Sequence, residues 1–272
     1  MELRKLTHLD PWDWPEGTND LILTVLKDAE NNTQDRILAA QMAGEINVIN
    51  NELADTLLAI VADSNEPREL RQQAAISLGP ALEEMDLSMI EDPEEMPIDA
   101  DIFNSILSIF YRLYHDPSVP RDVRRRILEA SVRADQDWHE QAIQEAWESE
   151  DKDWNLTAVF CMIFVPGFEN EIMKALESQD EMIQFHAVEA AGNWELEKAW
   201  PKISGLAKSN ATEKSLRLAA IEALGNLRPQ DSQPILEELT KEQDQEILDA
   251  AFESLGMAES SLGLLDDEEE RY

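Results

Sequence analysis

Apolar residues return along this chain at helical spacing, in one short segment after another. Leu53, Leu57, Leu58 and Val61 share one face of a helix, and so do Ile102, Ile106, Ile109 and Leu113, because residues three and four apart lie above one another. The same spacing predicts helices over roughly 19–29, 51–63, 101–114, 138–148, 169–178, 197–208 and 232–242. A second series of segments lies between them and follows a different rule. The stretch 216-LRLAAIEALGNL-227 matches 70-LRQQAAISLGPA-81, each with an arginine, an alanine three residues on, and a Leu-Gly step. The frame also fits 36–46, 184–194 and 248–258.

Anchoring these segments on their glycine gives Gly44, Gly79, Gly192, Gly225 and Gly256, with degenerate copies at Val132 and Ile163. The successive intervals are 35, 53, 31, 29, 33 and 31 residues. Other columns agree. Five residues before the anchor stand Ala39, Ala74, Ile127, Ala158, Ala187, Ala220 and Ala251. The next residue is apolar every time: Ala40, Ala75, Leu128, Val159, Val188, Ile221 and Phe252. Eight before the anchor stand Arg36, Arg71, Arg124 and Arg217, with Asn155, Gln184 and Leu248 in the other copies. A helix with alanine on its inner face can approach its neighbours closely, and the arginines read as a ladder, each reaching a carbonyl or an acid of the adjoining repeat. Breakers separate the segments: Asn65-Glu66-Pro67, Pro117-Ser118-Val119-Pro120, and Thr212 as a cap. Pro67 and Pro120 are expected just inside a helix start, where a missing N–H costs nothing. The glycine serves either to end its helix or to permit close packing.

The chain therefore reads as about seven antiparallel helix pairs. One such pair cannot bury both its apolar faces, so pairs stack on their neighbours into a solenoid. The Leu/Val-Arg pairs at 70–71, 123–124 and 216–217, the alanine column, and the Leu-Gly steps at 78–79, 224–225 and 255–256 resemble the HEAT-repeat family, in the short bacterial form related to the HEAT-like repeats of phycobilisome lyases. The resemblance spans about 18–258. It implies an all-α fold, a right-handed α-α superhelix with the second helices on its concave face, and a role in holding other proteins.

Three segments fall outside the repeat. Residues 1–17 contain 11-PWDWPEG-17, whose Trp12 and Trp14 either cap the open end of the first pair or dock a partner. The 53-residue interval carries an acidic insertion at about 83–100 with Pro93 and Pro97, expected as a solvated loop or as an acidic contact for a basic partner. Residues 259–272 form an acidic tail, expected to be disordered over 266–272.

Composition sharpens the functional expectation. Acids outnumber bases 58 to 22, a formal charge of −36 over 272 residues. That charge opposes nucleic acid, which needs a basic stripe to release counterions, and anionic membranes. Nine glycines are too few for a turn-rich β protein or a glycine-rich nucleotide fold. The N-terminal residues carry charge and no apolar core, which argues against a secretory signal. No apolar run is long enough to span a bilayer. The single Cys161 sits in an apolar run and reads as a small buried hydrophobe. A cytoplasmic protein is expected.

The enzymes among HEAT-like families each demand particular residues. Deoxyhypusine hydroxylases hold two irons with paired His-Glu steps, and the chain has one, His139-Glu140, among four histidines. HEAT-like DNA glycosylases need a basic groove. Bilin lyases of this fold show no simple nucleophile motif, so an enzyme or enzyme subunit of that type stays as the alternative. No G-x-S-x-G, P-loop or H-E-x-x-H motif occurs, and 149-SEDKDW-154 lacks the glycine of a calcium loop. His186, inside a repeat helix, reads as a packed residue. No catalytic residue, metal ligand or cofactor is expected. The leading expectation is a scaffold or adaptor that binds a protein with a basic surface, its oligomeric state left open. Trp138, Trp147, Trp154 and Trp194 are the candidate binding residues, because tryptophan concentrates at interface hot spots and the degenerate copies lie there. Trp147 also shares a face with Ile143, and Trp194 is placed to close a gap between repeats. Adaptation to high salt is a third reading of the acidity; lysine is scarce, at 9, but large aliphatic residues are not depleted. The insertion and the 266–270 run together hold 13 acids and no base, so most of the charge belongs to the helices.

Overall fold

A computed structural model describes residues 3–91 and 96–269, without the side chains of 88–91 and 264–269. All regular structure among these residues is helical. The chain divides into two compact units, residues 1–142 and 143–272.

The first unit holds α1 (Thr18–Lys27), α2 (Thr33–Ala43), α3 (Asn51–Ala62), α4 (Arg68–Ser77), α5 (Gly79–Glu91), α6 (Ala100–His115) and α7 (Arg121–Ser131). Its second helices stack in order, α2 on α4 and α4 on α7. Helix α8 (His139–Trp147) contains the division. The second unit holds α9 (Lys152–Cys161), α10 (Glu169–Ala175), α11 (Glu181–Asn193), α12 (Trp200–Lys208), α13 (Lys214–Leu227), α14 (Pro229–Leu239) and α15 (Gln245–Glu269). Here α9, α11, α13 and α15 stack in the same manner. The first helices read from the sequence are all present within about three residues of their expected ends, each followed by its second helix.

The column five residues before the anchor is the core of both units. Ala39, Ala74, Ile127, Ala158, Ala187, Ala220 and Ala251 are each 0% exposed. The small side chains let the helices close together, and Leu53, Leu57, Ile106, Phe110, Ile172 and Ile203 fill the space from the first helices. Each such fully buried large side chain contributes about 1.5–3 kcal/mol. The adjoining column is buried in six copies. In the last it is Phe252, which is 56% exposed.

Three of the anchor glycines, Gly44, Gly192 and Gly225, serve close packing. Their backbones are not left-handed, since Gly17 and Gly167 are the glycines with positive φ among the described residues. A Cβ on Gly44 would fall 2.5 Å from the Ser77 carbonyl oxygen, and one on Gly225 would fall 3.0 Å from that of Ser254. Gly192 faces Ala223 in the same way. Each partner stands two residues before the anchor of the following repeat, so the contact is one repeated joint.

The arginine ladder holds at three of its four expected rungs; at the fourth, Arg124, Nε is buried without a hydrogen-bond partner. Arg36 Nε donates to the Leu26 carbonyl at 3.1 Å, Arg71 Nε to Val61 at 2.9 Å, and Arg217 Nε to Ala207 at 2.9 Å. Each bond closes the open C-terminal end of the first helix ten residues back, where carbonyls lack helical partners. The guanidinium then reaches forward, from Arg36 to both oxygens of Glu66 at 2.7 Å and from Arg217 to Glu242 at 2.6 Å. Asn155 and Gln184 do the first half of this task with amides: Asn155 Nδ2 donates to the Trp147 carbonyl at 2.8 Å and Gln184 Nε2 to that of Leu176 at 2.7 Å.

The structure departs from expectation in five places. The insertion is not a loop at its start: α5 runs from Gly79 to Glu91, with Pro80 in its first turn and Ala81, Leu82 and Met85 fully buried. Residues 92–95 of the insertion lie outside the described residues. At its end, Asn51 and Asp99 exchange hydrogen bonds of 2.6 and 2.8 Å. The acidic tail continues α15 as far as Glu269, with 270–272 outside the described residues. Pro67 and Pro120 stand one residue before their helices, as N-caps. Glu213, not Thr212, caps α13, accepting from the Ser215 and Leu216 amides. The N-terminal segment, described from residue 3, splits its two tryptophans. Leu3 and Leu6 are buried, the helical turn at Leu3–Lys5 packs on α2, and Trp14 Nε1 donates to the Leu6 and Leu9 carbonyls, each at 3.2 Å. Trp12 points outward.

Candidate functional site

In the second unit, the residues that α11, α13 and α15 leave uncovered follow from their register. The positions seven and three before the anchor, and one after it, are four apart and so form one stripe. On α11 the stripe is Phe185, Glu189 and Asn193. On α13 it is Leu218, Glu222 and Asn226, and on α15 Asp249, Glu253 and Met257. The stripe is half-buried or exposed along its length. Because the anchor joints hold these helices in register, Glu189, Glu222 and Glu253 line up across them as a row of carboxylates.

The row carries an electrostatic strain. Partial burial, and then the charges of Glu189 and Glu253, hold the Glu222 carboxyl above its ordinary value. Among the described residues no lysine or arginine pairs with any of the three. Glu189 has a ring neighbour in His186, whose Nδ1 lies 2.7 Å away. His186 also packs edge-on against Phe160 and Phe185, in keeping with a packed residue that shares in the stripe. Reading down the anchor columns at the third position before the glycine shows Glu in three successive copies. That signal was present in the sequence and is easily lost among 58 acids.

The four candidate tryptophans occupy different settings. Trp138, in the first unit, is half-buried among Tyr111, Tyr114, His115 and His139, with its Nε1 buried and without a hydrogen-bond partner. In the second unit Trp147 is half-buried at the end of α8. Trp154 is 8% exposed and belongs to the core. Trp194 donates Nε1 to the Met162 carbonyl at 2.7 Å, which ties the end of α11 to the end of α9. None of these four lies in the carboxylate row.

His139 is fully buried. Its Nε2 lies 3.1 Å from Ser131 Oγ, its Nδ1 has no partner, and burial holds its pKa down to about 4. No group of three or more His, Cys, Asp or Glu among the described residues is arranged to hold a metal ion. No described helix is long and apolar enough to cross a membrane.

Residues 169–256, which include the carboxylate row, match the family model for HEAT repeats. Three solved structures resemble the chain at low identity. Human deoxyhypusine hydroxylase in complex with glycerol is 16% identical, with 90% of this chain and 97% of that one covered and a TM-score of 0.40. The Escherichia coli protein YibA is 13% identical, with 93% and 95% covered and a TM-score of 0.39. A designed armadillo repeat protein in complex with peptide (KR)4 is 15% identical, with 86% and 98% covered and a TM-score of 0.38. No curated protein matches by sequence. Residues 169–256 thus match HEAT repeats by sequence, and the same columns of residues recur on the helices before them.

Proposed function

We propose that the protein is a non-enzymatic, cytoplasmic scaffold that binds another protein through the second-helix face of its second unit and takes a basic segment of that partner there. The observation that carries this reading is the placement of Glu222 between Glu189 and Glu253. Three like charges in register repel one another at Glu222, and a cationic segment laid across α11, α13 and α15 relieves them. The half-buried Phe185 and Leu218, with the amides of Asn193 and Asn226, add apolar contact and backbone hydrogen bonding. Electrostatic complementarity of this kind sets specificity and association rate, and it makes binding sensitive to salt.

The test is fluorescence anisotropy with a labelled octapeptide of alternating lysine and arginine. The wild-type chain should bind it, and the triple variant E189Q/E222Q/E253Q should bind about tenfold or more weakly. A control that removes the same charge from exposed positions of α10 and α14, E169Q/E237Q/E238Q, should bind as the wild type does. Equal weakening in both variants would reduce the effect to net charge and sink the assignment to this face.

A further inference from the structure

The first unit has a cavity of about 430 Å³ between its N-terminal segment and the start of α1. We infer that this cavity receives the side chain of an arginine on a partner protein. The site lies in the other unit from the carboxylate row, and the inference does not rest on the function proposed for that row.

The walls carry the argument. Trp12 and Trp14 supply two indoles, Glu16 and Asp20 two carboxylates, and Asn19 and Asn47 two carboxamides; no lysine, arginine or histidine lines the cavity. Neither carboxylate is engaged by a cation among the described residues. Asn19 Nδ2 donates to the Val48 carbonyl at 3.0 Å, which leaves its oxygen as an acceptor. One of the two indoles is fixed. Trp14 is pinned through its N–H to the Leu6 and Leu9 carbonyls. Trp12 stands in a short helical turn, Pro11–Asp13, whose first residue is proline. Between them and α1, Gly17 takes a left-handed turn at φ 85 with no atom near the position of a Cβ, and Thr18 Oγ1 closes that turn by donating to the Pro15 carbonyl at 2.7 Å. The rim of the cavity is therefore held at Trp14 and at the Gly17–Thr18 turn.

Trp12 is 76% exposed. A tryptophan so exposed contributes nothing to the core, while its companion Trp14 is tied down through its N–H. An indole face beside carboxylates attracts a cation. A planar guanidinium suits the pair better than an ammonium does, because it stacks on the ring and forks onto a carboxylate at the same time. The start of α1 opposes this choice with about half a positive charge from the helix dipole. Two full carboxylates outweigh it, and Asp20 in the first turn of α1 already offsets part of it.

The test uses the full chain with its tryptophan indoles labelled with nitrogen-15. The probe is the tripeptide N-acetyl-Gly-Arg-Gly-amide, and the comparison is the same peptide with citrulline, which keeps the shape and lacks the charge. The Trp12 and Trp14 indole resonances should shift in a saturable way with the arginine peptide. Citrulline should bind about tenfold or more weakly, and so should the arginine peptide to the E16Q/D20N variant. Both substituted side chains are exposed, so this variant should stay folded, with a loss of about 1 kcal/mol or less from removing Asp20 at the start of α1. E189Q/E222Q/E253Q should leave the shifts unchanged, which separates this site from the carboxylate row. Equal shifts from arginine and citrulline, shifts confined to other tryptophans, or unchanged affinity in E16Q/D20N would each overturn the inference. Free argininamide binding as tightly as the tripeptide would also overturn it, by assigning the cavity to a small molecule.

Discussion

Gly192 and Ala223 meet so closely that a Cβ on the glycine would stand 2.8 Å from the alanine Cβ and 3.0 Å from its Cα. The backbone of one second helix thus rests on the next, and a methyl group has nowhere to go because the obstructing atoms belong to a helix and not to a flexible side chain. G192A should destabilise the protein by about 1–3 kcal/mol, the cost of overpacking a filled interior. Gly256 is the internal contrast. It occupies the same place in the last repeat, inside α15, and a Cβ there would meet no atom within 4 Å. There G256A should stabilise by about 0.5–1 kcal/mol through helix propensity alone. Urea midpoints that move in opposite directions for the two variants confirm the joint.

The arginine ladder makes a second pair of opposed expectations. Arg36 and Glu66 have side chains 6% and 18% exposed, so R36M strands a carboxylate and the Leu26 carbonyl away from water. The expected loss is about 3–5 kcal/mol. R36K should recover little of it, since an ammonium cannot hold the carbonyl and both oxygens of Glu66 together. The Lys27–Glu52 pair is short, at 2.6 Å, yet its side chains are 53% and 64% exposed. K27M should change stability by about 1 kcal/mol or less. Thermal melts of the three variants rank the effects.

These joints explain how much of the molecule is legible from residues alone. The alanine column, the anchor glycines and the arginines are each tied to one place in a repeated pair, so their spacing carries the helix pairs and the stacking. The insertion escapes that reading because its acids hide the helical spacing of Leu82 and Met85, which are buried on α5 and continue from Leu78 at the end of α4. The tail escapes it in the same way: Asp266 to Glu269 extend a helix already nucleated by α15. Trp154 shows the opposite failure. Residue type draws attention to it, but whether an indole faces core or solvent depends on helix rotation, which a degenerate copy does not fix. Glu222 needs the columns and the joints together, since one glutamate acquires meaning only when its counterparts on adjacent helices are held beside it.

His139 predicts a pH dependence of stability. Its folded-state pKa is lowered to about 4 by burial, from an ordinary 6.5. Between these values the unfolded chain binds a proton that the folded chain excludes, so stability is fully present above about 6.5 and falls as pH drops toward 4. The contribution amounts to about 3 kcal/mol at about 1.4 kcal/mol per pH unit. H139Q removes the titrating group, and its urea midpoint should vary less with pH between about 6.5 and 4 than that of the wild type. Parallel profiles for the two proteins would place the buried imidazole outside the acid response.

Glu222 gives an expectation that can be read without any partner. Its carboxyl should titrate above its ordinary value of 4.5, for burial and for the charges of Glu189 and Glu253. Carbon-13 spectra of the glutamate carboxyl groups measure this directly. In E189Q/E253Q the Glu222 carboxyl should move back toward 4.5 without reaching it, because burial is the larger cause and survives both substitutions. Molar KCl should mimic part of that return, since the screening length falls to about 3 Å. The sign for stability follows. A carboxyl raised in the folded state disfavours folding at neutral pH, so E222Q should stabilise the chain there, and the gain should vanish as pH falls below the ordinary value. A cationic segment seated on the row must act in the same direction as the neutralising variants, releasing protons as it binds. Octapeptide binding that leaves the Glu222 titration untouched would therefore place the peptide somewhere other than this face.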